Sequence, residues 1–142
     1  MLFKRISRTD AEKVYIVVKN VSGSTITAGY ACVYDIGSSV DGVRVTQASA
    51  SDVAAFAGLA DADIANGAYG LVQAFGYRAS GRIWYSSTAR TSGNPLGCKG
   101  GTWCMDADNA ADDTAHFGFL CAARAASNAS SQIMTKVFIR AI

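Results

Sequence analysis

Charge is scarce in this chain. Asp, Glu, Lys and Arg together make up 17% of its 142 residues, against roughly 25% in an ordinary soluble domain. Histidine and proline occur once each, as His116 and Pro95. With one histidine, a Ser-His-Asp arrangement would have to run through His116, yet no G-x-S-x-G elbow accompanies it. None of the four cysteines (Cys32, Cys98, Cys104, Cys121) stands in a C-x-x-C pair, which argues against zinc and redox motifs. No run of 18 apolar residues is present, so no transmembrane helix is expected. Residues 1–13 are charged and lack an apolar h-region, so no signal peptide is expected either. The net charge of +2 is too small to argue for nucleic acid.

What is present is apolar, small and β-forming. Hydrophobic residues reach 50%, and alanine alone fills 25 positions. A charge-poor surface of this kind suits burial against other copies or within a large assembly. Residues 14–18, Val-Tyr-Ile-Val-Val, form a continuous β-branched and aromatic run, which predicts a strand buried on both faces. Residues 20–24 carry turn chemistry, and 25–34 extend again with Gly29 as a break. Residues 43–47 alternate with period two. Residues 50–57 suit one helical turn capped by Ser51 or Asp52. In residues 71–77, Leu71, Gln73, Phe75 and Tyr77 share one face and Val72, Ala74 and Gly76 the other. Residues 82–85 extend or follow that strand. Residues 86–101, rich in Ser, Thr and Gly, are expected to be a long surface connection. Alternation returns at 115–121, residues 122–131 suit a short helix or an excursion, and 136–142 read as a closing strand. No internal repeat is visible. The expected class is mainly β, a small barrel or sandwich with long loops, organised as an N-terminal arm over 1–13 and a single β domain over 14–142.

Several residue groups invite chemistry and are outweighed by simpler readings. Asp106, Asp108 and Asp112 are spaced loosely like calcium ligands, but the glycine and distal glutamate of an EF-hand loop are missing. Asp61 and Asp63, two residues apart, suit a turn better than carboxylates opposed across a sugar. His116, beside Phe117 and Phe119, reads as structural. The glycine-rich stretch 97–101 lacks the spacing of a phosphate loop. Trp84, Tyr85 and Trp103 have the chemistry to stack on sugars, although core or interface packing accounts for them more simply. Cys98 and Cys104 read as buried free thiols, with a disulfide across the intervening five residues as the alternative. No cofactor and no metal are expected.

Three stretches carry a family likeness. They are residues 18–29 (VKNVSGSTITAG), 56–73 (FAGLADADIANGAYGLVQ) and 137–140 (VFIR). Their turns and alternation resemble those of tailed-bacteriophage capsid decoration proteins, also called head-stabilising or cement proteins. The resemblance implies a β-barrel or β-tulip-like core. It also implies a non-enzymatic virion protein, made in the host cytoplasm and bound as a homotrimer to the major capsid protein on the capsid exterior, with no nucleic acid and no membrane. A virion fibre or glycan-binding head using the tryptophans is the alternative. Phe3, Lys4, Arg5 and Arg8, basic and apolar residues in the arm, are the expected capsid contacts.

Overall fold

A computed structural model of the chain describes residues 12–37, 41–85, 88–107, 116–125 and 131–142. These residues form nine strands and no α-helix: β1 (Lys13–Asn20), β2 (Ala31–Tyr34), β3 (Arg44–Thr46), β4 (Phe56–Ala60), β5 (Tyr69–Tyr85), β6 (Pro95–Cys98), β7 (Met105–Asp106), β8 (Gly118–Leu120) and β9 (Ser131–Arg140). The turn expected near residue 52 is a single 3-10 turn, Val53–Ala55, with Asp52 at its N-cap. The mainly β class follows from the sequence, where β-branched and aromatic residues fill the alternating runs.

The strand order β1-β3-β2-β4-β5-β7-β6-β8-β9 closes on itself twice, because β5 also pairs with both β1 and β9. The result is two five-stranded barrels, β1-β3-β2-β4-β5 and β5-β7-β6-β8-β9, with β5 as a common wall. A ring of five strands cannot alternate direction all the way round, so each barrel needs one parallel pair. Those pairs are β1 with β3 and β5 with β7.

The two barrels have the same connectivity, strand for strand. In the first, Val33 and Tyr34 of β2 pair with Thr46 and Val45, and Ala31 and Cys32 with Leu59 and Gly58. In the second, Gly97 and Cys98 of β6 pair with Asp106 and Met105, and Pro95 and Leu96 with Phe119 and Gly118. The corners correspond too. Gly29 N donates to Ala60 O at 2.8 Å and Gly93 N to Leu120 O at 2.7 Å. Both glycines adopt positive φ, +82° and +90°, which a side chain would oppose. Isolated bridges link Ile26 with Ile64 and Arg90 with Arg124 at matching places. The repeat that the sequence hides is therefore present in the backbone. It escapes notice because hydrogen-bond register, not side-chain identity, is what the two halves share.

Val18, Cys32, Val45, Ala60 and Val72 fill the first barrel, closed at one end by Ile26 and Ile64. Leu96, Met105, Leu120 and Val137 lie in a larger cluster that also takes in Ala31, Val33 and Leu59 from the outward sides of β2 and β4. The barrels are thus joined by packing as well as by the shared strand. At Gly58 and Gly118 neighbouring strands approach closely. A Cβ on either would lie 2.2 Å from a carbonyl oxygen, of Gln73 and Phe138 respectively.

Two expectations are corrected. Residues 86–101 are more than a surface connection: β6 runs through them, and Leu96, Gly97 and Cys98 are buried as one wall of the second barrel. Strand β1 is not buried on both faces, because only its inward side meets the core while Tyr15 and Val17 stand exposed. Cys98 and Cys104 are buried free thiols, as expected, and the alternative disulfide between them is absent; Cys32 and Cys121 are free as well. Cys98 pairs with Met105, so Cys104, one residue away, points to the opposite side of the ladder.

Candidate interaction surface

The outward face of the β1-β5-β9 ladder is the most unusual surface of the described structure. Tyr69 (66% exposed), Val17 (61%), Leu71 (46%) and Tyr15 (38%) lie together there. The register makes them neighbours: Val17 is opposite Leu71, Lys19 opposite Tyr69, and Tyr15 opposite Gln73. Pairing with β9 continues the same face, with Phe75 opposite Arg140 and Tyr77 opposite Phe138. Phe138 is stacked on Phe119 and meets Phe75 edge-on, with centroids 5.0 and 5.3 Å apart. The inward side of β5, by contrast, carries the fully buried Val72, Ala74 and Ile83.

Charge on these three strands has one sign. They hold Lys13, Lys19, Arg78, Arg82, Lys136 and Arg140 and no aspartate or glutamate. Lys19 sits over the Tyr69 ring at 5.7 Å, and Arg78 pairs with Asp61 of the β4–β5 turn at 3.2 Å. Lys136 and Arg140 are exposed on the same outward face as Phe138.

Further along this face β5 and β9 border an open cleft of about 320 Å³, lined by Thr27, Ala28, Tyr30, Arg82, Gln132, Ile133 and Met134. The Arg82 guanidinium lies 4.3 Å from the Tyr30 ring centroid and donates through Nη2 to Gln132 Oε1. Tyr30 leans in turn on Trp103, 5.8 Å away. Arg82 covers the Tyr30 face that would otherwise be open to a flat ligand.

The residues singled out from the sequence are dispersed. Phe3, Lys4, Arg5 and Arg8 lie outside the described residues, as do Asp108 and Asp112. Asp106 binds Lys99 Nζ at 3.1 Å. Asp63 accepts from Ala28 N at 2.8 Å, so both carboxylates of the Asp61–Asp63 pair are engaged in holding a turn. His116 is half-buried, next to Phe117, whose ring packs on Phe56. Trp84 and Tyr85 point to opposite sides of β5: Tyr85 joins the core, while Lys99 sits 5.2 Å over Trp84. Trp84, Tyr85 and Trp103 therefore share no common platform. Burial pushes the Cys32 and Cys98 thiols up to about 12, far from the thiolate a nucleophile needs. Among the described residues, no three His, Cys, Asp or Glu side chains gather as metal ligands do.

The exposed ladder was missed in the sequence because residues 14–18 are apolar without interruption. The one signal available was the lack of acidic residues in all three long strands.

Together the fold and the surface define a paired β-barrel with a cationic, apolar outer face. No family model and no curated protein matches the chain. Among solved structures, it is similar in fold to the N base of the head fiber gp8.5 of bacteriophage phi29, with a TM-score of 0.53 and 14% sequence identity. The match spans 92% of this chain and 96% of that one.

Proposed function

We propose that this chain is a non-enzymatic structural protein of a phage virion, seated on the outside of the capsid and binding the major capsid protein. The observation that carries the reading is the likeness to a head-fiber base over nearly the whole of both chains. The resemblance of residues 18–29, 56–73 and 137–140 to capsid decoration proteins points to the same place in a virion. The exposed apolar ladder supports it, since contiguous apolar surface on a small domain marks an interaction site. In this reading the protein is a decoration protein that spans shell subunits as a homotrimer and stabilises the shell. It binds neither nucleic acid nor membrane.

A second reading, the base of a head fiber, is favoured by the structural neighbour's being a head-fiber base itself. One experiment separates the two. Purified protein is added to heads that lack it, and bound copies and the melting temperature of the heads are measured. Saturable binding with a higher melting temperature supports decoration. Saturable binding with no change supports a fiber base. Absence of binding to heads overturns both.

A further inference from the structure

We infer that the outward face of β1, β5 and β9 is the docking face and that its partner is an acidic protein surface with apolar side chains at its centre. This rests on the proposed function for where the partner lies, but its chemistry follows from the face alone. Val17 and Leu71 stand opposite each other in register and are largely exposed, and Tyr69 extends the apolar area. Around them the three strands supply cations and no carboxylate. Complementarity across an interface calls for the opposite sign on the partner.

The same arrangement disfavours other occupants. A second copy placed face to face would set Lys19, Lys136 and Arg140 against identical charges. A polyanion such as duplex DNA would engage the cations but leave Val17 and Leu71 without apolar contact. Docking by strand addition needs an open sheet edge, and both barrels are closed by pairing. Contact must therefore run through side chains of a face, as the exposed ladder provides.

The test is a titration of the isotopically labelled full chain, followed by backbone amide shifts. The probes are a random copolymer of glutamate and tyrosine, poly-glutamate of the same length, a 20-base-pair DNA duplex, and phosphatidylglycerol vesicles. The expected result is saturable shifts confined to β1, β5 and β9, with the glutamate–tyrosine copolymer binding at least tenfold more tightly than poly-glutamate. In a Val17→Ser/Leu71→Ser variant that advantage falls below threefold. In a Lys136→Gln/Arg140→Gln variant both acidic polymers weaken. Both variants change exposed side chains, and far-UV circular dichroism with a thermal melt verifies that they fold. Shifts elsewhere, DNA or vesicles binding as tightly as the copolymer, or a double serine variant indistinguishable from the parent would each overturn the inference. Binding to heads separates its failure from that of the proposed function. Heads bound equally by parent and face variants overturn the docking face and leave the virion role standing. Heads bound by neither overturn the virion role, and the copolymer titration still decides the face.

Discussion

The two barrels share a hydrogen-bond plan and differ in nearly everything that fills it. Where the first places Cys32, Val45 and Ala60, the second places Leu96, Met105 and Leu120 at the same register positions. The first is closed at its end by Ile26 and Ile64, the second by a bridge between Arg90 and Arg124. Asn20 is buried in the first, donating to Ser24 O at 2.7 Å and Ile64 O at 2.8 Å. At the matching place the second has Ile83. Backbone pairing can thus be kept while the interior is refilled, provided the volumes suit each cavity. Glycine is kept at one equivalent point of close approach in both, Gly58 and Gly118, because no side chain fits.

The sharpest way to break this correspondence is at those glycines. Gly58→Ala meets both a carbonyl and a φ of +139°, and should cost about 4 kcal/mol, overpacking and backbone strain combined. Gly118→Ala meets the equivalent carbonyl and should cost about 3 kcal/mol. Urea unfolding of the two variants reads both values, and a loss under 1 kcal/mol in either would remove the equivalence. Next come the fillings. Leu120→Ala should lose about 3 kcal/mol, a cavity cost. The reciprocal Ala60→Leu should lose about 2 kcal/mol by crowding a smaller interior. A neutral Ala60→Leu would mean that the first barrel holds space not seen here.

Asn20→Ala should cost about 2 kcal/mol, because the variant removes the buried bonds to the Ser24 and Ile64 carbonyls and takes the Asn20 Oδ1 acceptor from the Ser22 N–H. Calorimetry checks it against Ile83→Ala, which tests the same position by cavity alone. A gentler comparison uses pH. Cys32 belongs to the first cluster and Cys98 to the second, and burial raises both from 9.0 to about 12. Between those values the unfolded chain releases thiol protons that the folded chain keeps, so stability falls as pH rises and is fully present below 9. Each thiol contributes a slope of about 1.4 kcal/mol per pH unit. Cys32→Ala and Cys98→Ala should each flatten the decline above pH 9 by a similar amount, measured by urea unfolding across pH. Unequal flattening would show that water enters one barrel more readily.

The mainly β class was legible because β1, β3, β5 and β9 carry long or alternating apolar runs that no helix period matches. Strands β4, β6 and β7 were not. Phe56–Ala60 is apolar at every position and buried throughout, which leaves no alternation to read. Pro95–Cys98 begins with a proline and contains a glycine, both of which signal a loop when taken locally. They work here because the strand is short and the bulk is supplied by Leu96 and by neighbours from the first barrel. The candidate surface was hidden for a related reason. Val17 and Val18 look alike in sequence, and only the closure of the barrel decides that one is exposed and the other buried.

Strand β5 runs for 17 residues and would span roughly 55 Å if straight. It belongs to both rings at once, with Phe75 and Gly76 bonded to β1 on one edge and to β9 on the other. Neither barrel can open without tearing a wall out of its neighbour. The repeat is therefore not two units that happen to touch but one unit built on a continuous strand, expected to melt in a single calorimetric transition.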